Sequence, residues 1–168
     1  MAKVIPGRFA AEMEGPFVVF IIGMRINRLF AFHKWIPVAS AMGPMIKELY
    51  QNPEIGFIST EFLLNWRGIT LIQYWRTYEQ LETYARGGTH LTTWKKFNTS
   101  VGTDGTVGIY HETYRIQPEQ YEAIYVNMPK SGLAKGGMHV PAVGTKETSK
   151  RRMGGDNNPA VPTPTNPE

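Results

Sequence analysis

Runs of apolar residues predict an alternation of strands and helices along this chain. The most apolar run, 17–24, has apolar residues at both odd and even positions, which is typical of a strand covered on both faces. The run is too short to cross a bilayer, because a spanning helix needs ~20 apolar residues. We therefore predict a buried strand over 17–28.

The rest of the pattern adds helices and strands in a regular order. Apolar residues recur at helical spacing after Val38, and Pro44 is expected to kink that helix or restart it. Thr77 and Gln80 have the spacing of a capping box, which predicts a helix start. The further predicted elements are a helix over 38–49, strands over 55–66 and 69–76, helices over 77–86 and 89–100, and strands over 107–116 and 121–128.

This order, β-α-β-β-α-β with an extra strand, predicts an α+β ferredoxin-like fold with an antiparallel sheet. Such a sheet carries helices on one face only. Because the strands have apolar residues at both parities, the other face needs cover as well. We predict that two copies pack sheet against sheet as a homodimer, a dimeric α/β barrel with an enclosed lumen. The sequence leaves open which sheet face lines a pocket.

Length and composition favour one folded domain with flexible ends. The 168 residues predict an arm over 1–16, a domain over 17–143 and a disordered tail over 144–168. The charged fraction of 19% is low, which fits a protein that buries surface in its core and again against a partner or ligand. Part of the net charge of +4 lies in the tail, and no basic stripe alternates with exposed aromatic residues, so nucleic acid is not an expected partner. A membrane is not expected either, because the most apolar run is too short to span one.

The residue types that are missing restrict the chemistry. The chain has no cysteine, which excludes disulfides, thiolate nucleophiles and cysteine-ligated metals and is compatible with a reducing cytoplasm. The sequence also lacks a dinucleotide-binding glycine motif, a P-loop, a zinc-site spacing and a nucleophile elbow. An enzyme of this kind must take its chemistry from the substrate, from oxygen or from a cofactor held by few side chains.

His90 is a candidate base or metal ligand. It is predicted in the first turn of a helix that starts at Thr89, where the helix dipole disfavours imidazolium. A neutral imidazole can act in either role. Trp94 and Phe97 share its helix face, so the alternative is an amphipathic face packed on the sheet.

A second group of candidates lies on the strands. His111 and Glu112 are strand neighbours and therefore point to opposite faces, so one faces the helices and the other the lumen. For His111 the alternative is a hydrogen-bonded core histidine. Polar side chains on otherwise apolar strands need partners or solvent, which a wet, aromatic-lined cavity would supply. The other candidates are Asn27, Gln73, Tyr74, Trp75, Arg76 and Tyr110.

The segments GTVGIYHETYRI and YEAIYVNMPKSGLAKGG, with His90 and Trp94 before them, resemble a family of monooxygenase-like proteins once called DUF4188. This family includes an antibiotic-biosynthesis-type monooxygenase of the fungal fumagillin pathway. The resemblance covers most of the chain and implies a dimeric α/β barrel. Similar barrels oxidise aromatic substrates without metal or flavin, and others bind haem through a helix histidine.

The resemblance implies a small oxygen-using monooxygenase acting on an apolar or aromatic metabolite, with no required cofactor. His90 or His111 would be the base, and Arg76 or Asn27 would stabilise negative charge. One alternative is a haem-binding barrel enzyme, similar to an aldoxime dehydratase or to a haem-degrading enzyme, with His90 as axial ligand. Another is a non-catalytic binder of a hydrophobic small molecule. The residues that would shape the pocket are Tyr74, Trp75, Trp94, Tyr110 and Glu112.

Overall fold

The computed structural model describes residues 2–156. The strands are β1 (Ile5–Glu12), β2 (Phe17–Ile26), β3 (Phe57–Asn65), β4 (Gly68–Trp75), β5 (Val107–Ile116), β6 (Ile124–Met128) and β7 (Met138–Pro141). The helices are α1 (Phe32–Gln51), α2 (Tyr78–Ala85), α3 (Gly88–Val101) and α4 (Ser149–Arg152). Short 3-10 turns cover Pro53–Ile55, Gly132–Lys135 and Gly144–Lys146.

One sheet carries the predicted topology. Its strand order is β3-β4-β2-β5, and β4 lies antiparallel between β2 and β3. With α1 after β2, and α2 and α3 after β4, the chain order is the β-α-β-β-α-β arrangement of the ferredoxin-like fold. The α+β ferredoxin-like prediction is confirmed.

The extra strand joins a second sheet instead of extending the first. β6 lies at Ile124–Met128, inside the predicted 121–128, and the three-stranded order is β6-β1-β7. We did not predict β1 as a strand, because residues 1–16 hold two prolines and have mixed polarity. Pro6 and Gly7, which disfavour a regular ladder, stand at its start. A register shift between Ile5 and Arg8 accommodates both residues, and the side-chain oxygen of Asn127 accepts a hydrogen bond from the Gly7 amide.

The described residues group into two compact units, 18–114 and 2–17 with 115–156. The segment predicted as an arm contains β1. Residues 144–156 of the predicted tail contain a 3-10 turn and α4, whose start is capped by the Thr148 side chain. The rest of the tail lies outside the described residues. The domain boundaries stay a prediction. No helix within 2–156 is long and apolar enough to cross a membrane.

Helix α1 begins earlier than its apolar spacing predicts. It starts at Phe32, and the Trp35 indole N–H donates to the carbonyl oxygen of Leu29, 2.9 Å away, which ties the first turn to the preceding loop. The helix continues through Pro37 and Pro44, so Pro44 does not restart it, and the kink that was the other expectation stays a prediction. Residues of α1 between Pro37 and Met45 line a cavity on the helix-bearing side of the sheet.

Two apolar clusters hold the helices to one face of the four-stranded sheet. The first centres on Trp75, which is fully buried, and the second on Met24. Cross-strand pairing places Val18 beside Trp75 and Ile22 beside Leu71, which puts even-numbered β2 residues and odd-numbered β4 residues on this face. Between the clusters the helices stand away from the sheet, and the candidate site lies in that space.

Candidate active-site cavity

Two adjoining cavities, of about 400 and 410 Å³, lie between the helix-bearing face of the sheet and helices α1 and α3. Their volumes are in the range of small-molecule pockets. The side chains that line both are almost all apolar, with one histidine among them. These shared residues are Ile22, Met42, Met45, His90, Trp94 and Ile109. The arrangement can hold an apolar ligand beside an imidazole.

His90 is held in a fixed orientation at this cavity. Helix α3 is capped by the backbone of Gly87 and begins at Gly88, not after Thr89 as predicted, and His90 lies in its first turn. The Nδ1 atom of His90 lies 2.8 Å from the carbonyl oxygen of Ala85. Only a protonated Nδ1 can donate to that oxygen, so in the neutral ring Nε2 carries the lone pair. The half-buried ring therefore offers a base or a metal ligand at Nε2.

His111 lines the second of these cavities from the sheet side. Its ring lies 5.7 Å from that of Phe20, centroid to centroid, on the neighbouring strand. Glu112 points the other way, where its carboxylate accepts a hydrogen bond of 2.6 Å from the Tyr114 hydroxyl, which raises the pKa of Tyr114. The predicted opposite orientation of His111 and Glu112 is confirmed, and His111 is the one that faces the helices.

The two predicted tryptophans both contribute to the cavity walls. Trp94 stacks on Phe97 with 5.4 Å between ring centroids and keeps 42% of its surface exposed. Trp75 is fully buried and packs against Phe57 and Tyr84. Trp75 is thus both a core residue and a cavity wall, whereas Trp94 is accessible to a ligand.

Tyr84 forms part of the wall beside His90. Its ring centroid lies 5.5 Å from that of His90. Burial, followed by the negative charge of Glu48, raises the pKa of Tyr84 to about 12. The phenol therefore stays neutral at physiological pH. Sequence reasoning did not single out Tyr84, because helical spacing gives no sign that α2 and α3 bring it to His90.

Gln73 was only one of several polar candidates on the predicted strands, and the structure places it at the second cavity. It lies on β4, is only 6% exposed and lines the second cavity. Its side-chain oxygen accepts a hydrogen bond of 3.0 Å from the Trp75 indole N–H. A glutamine on an apolar central strand, two residues before a tryptophan, was the signal that could have identified it.

Three predicted pocket residues lie on the opposite face of the sheet. Tyr110 and Glu112 on β5 alternate with the cavity-lining Ile109 and His111, and Tyr74 on β4 alternates with Gln73 and Trp75. The Tyr110 hydroxyl lies 2.8 Å from the Thr70 hydroxyl, and Tyr110 is 43% exposed. The structure therefore does not bring Tyr74, Tyr110 and Glu112 together with the two histidines.

Neither predicted charge-stabilising residue lines the two cavities. The Asn27 amide donates to the carbonyl oxygen of Gly105 at 3.0 Å and accepts from Arg25 at 3.1 Å, so both of its ends are used in local contacts. Arg76 is exposed just after β4, where its backbone amide donates to Gly56. Within 2–156 we find no group of three or more histidine or carboxylate side chains placed to hold a metal ion.

Comparison with known proteins identifies the family of this chain and agrees with its fold. A family model described as Monooxygenase af470-like matches residues 17–133, more than half of the chain. The chain belongs to the monooxygenase af470-like family. Monooxygenase af470 from Aspergillus fumigatus (strain ATCC MYA-4609 / CBS 101355 / FGSC A1100 / Af293) is 29% identical over 163 residues, which cover 83% of this chain and 58% of that protein. The af470-like chain thus spans little more than half of this curated relative.

Two solved structures are similar to the af470-like chain. An aldoxime dehydratase, OxdRE in complex with butyraldoxime, has a TM-score of 0.67 at 18% identity, over 79% of this chain and 41% of that one. A second aldoxime dehydratase has a TM-score of 0.66 at 18% identity, over 80% of this chain and 42% of that one. At this level of identity, the similarity shows a shared fold.

Proposed function

We propose that this chain is an oxygen-using monooxygenase that acts on an apolar or aromatic small molecule bound between the sheet and helices α1 and α3. The family membership supports the reaction class. The observation that carries the proposal is the contact between His90 Nδ1 and the carbonyl oxygen of Ala85, because it leaves a basic Nε2 at an apolar cavity. A base in that position suits a substrate with a weakly acidic proton.

In this proposal, Nε2 of His90 removes a proton from a phenol or from carbon beside a carbonyl group. The resulting anion is electron-rich and reduces oxygen directly: carbon bonds to one oxygen atom, and the terminal oxygen takes a proton. Cleavage of the O–O bond with loss of water then leaves a new carbonyl group. His111 faces the same cavity and is placed to return the proton. Trp94 and Trp75 supply the apolar wall.

Oxygen uptake with 1-naphthol and anthrone as probes tests this proposal. His90→Phe keeps an aromatic ring but removes the base, and we expect the rate to fall about 10²–10⁴-fold. His33→Phe is the matched control, since His33 is exposed on α1 and lines neither cavity. If wild type consumes oxygen and His90→Phe consumes it at the same rate, His90 is not the base. Binding of the probes without any uptake would favour the non-catalytic binder.

Haem binding is a second candidate, and one contact favours it. Histidines that ligate metals usually donate their second ring nitrogen to a carbonyl or carboxylate oxygen, as His90 Nδ1 does to Ala85. The apolar lining of the adjoining cavities suits a porphyrin, so the residues present fit the group. His90 would hold the iron through Nε2, and the haem would supply redox or Lewis-acid chemistry. His111 and Trp94 would lie along the same cavity.

The visible spectrum after haem addition separates the two candidates. If haem binds through His90, a shifted Soret band should form in wild type and in His111→Ala but not in His90→Ala. Near-ultraviolet circular dichroism of the variants checks that each is folded. A spectrum of free haem in wild type would exclude this candidate and leave the oxygen-uptake test to decide between enzyme and binder.

We further propose that a second copy of the chain covers the face of the four-stranded sheet opposite the helices. This face carries Leu63, Tyr110 and Tyr114 with 45%, 43% and 47% of their surface exposed. Aromatic and aliphatic residues so placed are typical of an interface between subunits. In such a homodimer, Tyr74 and Glu112 would also face an enclosed lumen. Their predicted roles in a pocket depend on that second copy.

A further inference from the structure

Gln73 lies in an unusual place for a primary amide. It is at the centre of β4, opposite Phe20 on β2 and Thr60 on β3, so both neighbouring strands enclose it. Its residue exposure is 6%, yet it lines the cavity that His90 and His111 share. A buried amide costs free energy unless its polar atoms find partners.

The contact with Trp75 fixes which end of the amide faces which way. An indole N–H can only donate, so the atom that accepts from it must be the amide oxygen of Gln73 and not the nitrogen. The amide NH₂, which can donate two hydrogen bonds, is therefore the end that Trp75 does not contact. Among the described residues we find no acceptor within hydrogen-bond distance of it. The protein thus holds an unpaired amide donor at a mostly apolar cavity that also contains His90 and His111.

We propose that the Gln73 amide NH₂ donates to the substrate oxygen that becomes negatively charged when the substrate loses its proton. This inference rests on the proposed function and narrows the substrate class to phenols, naphthols and enols on an apolar ring system. Neutral amide donors stabilise an oxyanion when they are held in place beforehand. Trp75 is then a positioning residue, since its N–H prevents the amide from turning over.

The binding of 4-nitrophenol tests this inference without turnover, because only its phenolate absorbs strongly in the visible. Wild type should bind the phenolate more tightly than the phenol, which lowers the pKa of the bound probe. Gln73→Met replaces the amide with an apolar side chain of similar size and should weaken phenolate binding about 10-fold or more. Nitrobenzene, which lacks the hydroxyl, should bind both proteins about equally, within about 2-fold.

Two further variants make the result specific. Trp75→Phe keeps a buried ring but frees the amide, and it should raise the pKa of the bound probe even if Gln73→Met fails to fold. Gln80→Met, an amide loss outside both cavities, should bind like wild type. Phenolate affinity unchanged in folded Gln73→Met or in Trp75→Phe overturns this inference alone. Failure of wild type to bind either probe overturns the proposed function with it.

Discussion

The phenol ring of Tyr110 on β5 occupies the space where a side chain of residue 23 on β2 would begin. A Cβ atom built on Gly23 would lie 2.5 Å from two ring carbons of Tyr110 and 2.6 Å from its hydroxyl oxygen. The ring is held there by the contact of 2.8 Å between the Tyr110 and Thr70 hydroxyls. Glycine at position 23 thus allows an aromatic side chain to lie across the open face of the sheet.

Replacing Gly23 with alanine should destabilise the protein. The new methyl group must push Tyr110 away and break its contact with Thr70, and overpacking of this kind costs about 1–3 kcal/mol. Chemical denaturation of the purified variant measures the change in the free energy of unfolding. Gly43→Ala is the control, because a Cβ there meets no atom within 4 Å and alanine favours a helix.

The double variant Gly23→Ala, Tyr110→Ala separates the clash from any general effect of the methyl group. Without the ring, the cost of the alanine should largely disappear, so the two single changes should not add. Strictly additive changes would mean that the ring is not the obstacle.

A charge on the open face should separate the proposed homodimer. Tyr114→Lys places an ammonium group where we propose that the second copy packs, and a buried unpaired charge is costly. We expect the dissociation constant of the dimer to rise about 10-fold or more, as for a central interface residue. Ile36→Lys changes an equally exposed residue on helix α1 and serves as the control. Sedimentation equilibrium measures both, and a monomeric wild type would refute the homodimer.

The strands and helices of the ferredoxin-like part could be predicted because local patterns decide them. Alternation on β5 gave the bounds of Val107–Ile116 and the opposite orientation of His111 and Glu112. The two residues between the predicted strands, Arg67 and Gly68, were expected to form the hairpin turn, and this prediction was off by one residue. The turn is Trp66-Arg67, and Gly68 is the first residue of β4. Position 68 requires glycine, because a Cβ there would collide with the carbonyl oxygen of Met24. That collision is a tertiary contact, which no local pattern reveals.

The candidate site was only partly predictable for the same reason. Helical spacing placed His90, Trp94 and Phe97 on one face, and all three line the first cavity. The sequence did not show which face of the sheet carries the cavity, because odd- and even-numbered positions of the strands are both apolar. Gln73 became significant only when the Trp75 contact fixed its amide. Long-range pairing, not residue type, determines which polar groups meet.

The capping prediction for α2 can be tested at one hydroxyl. The Thr77 side chain accepts a hydrogen bond of 3.1 Å from the backbone N–H of Gln80, which confirms the cap. The Gln80 side-chain oxygen is shielded from solvent and has no partner within the described residues, so we do not find the reciprocal bond of a full capping box.

Thr77→Ala should therefore lower the free energy of unfolding by about 1 kcal/mol, the usual value of an N-cap. Thr92→Ala is the matched control, because the Thr92 hydroxyl donates to the carbonyl oxygen of Gly88 inside α3 and caps nothing. Equal effects of the two changes in thermal or chemical unfolding would show that the cap contributes nothing of its own.

His139 should make the stability of the protein depend on mildly acidic pH. Its ring on β7 stacks on Phe9, with 4.5 Å between centroids, and packs edge-on against Tyr125. Its Nε2 atom is shielded from solvent and has no hydrogen-bond partner among the described residues. Burial, assisted by the positive charge of Lys130, lowers the pKa of His139 below its ordinary value of 6.5.

The direction of this pH dependence follows from whether the folded or the unfolded chain binds the proton more readily. Below about pH 6.5 the unfolded chain protonates this histidine while the folded chain resists, so stability is lost as the pH falls from about 6.5 toward the lowered pKa. His139→Phe keeps the stacked ring without a titrating nitrogen. The melting temperature of wild type relative to His139→Phe should therefore fall as the pH is lowered from 8 to 5. His33→Phe keeps His139, so its melting temperature should follow that of wild type across this range. Melting curves of wild type and His139→Phe that stay parallel across this range would mean that His139 is as easily protonated in the folded protein as in the unfolded chain.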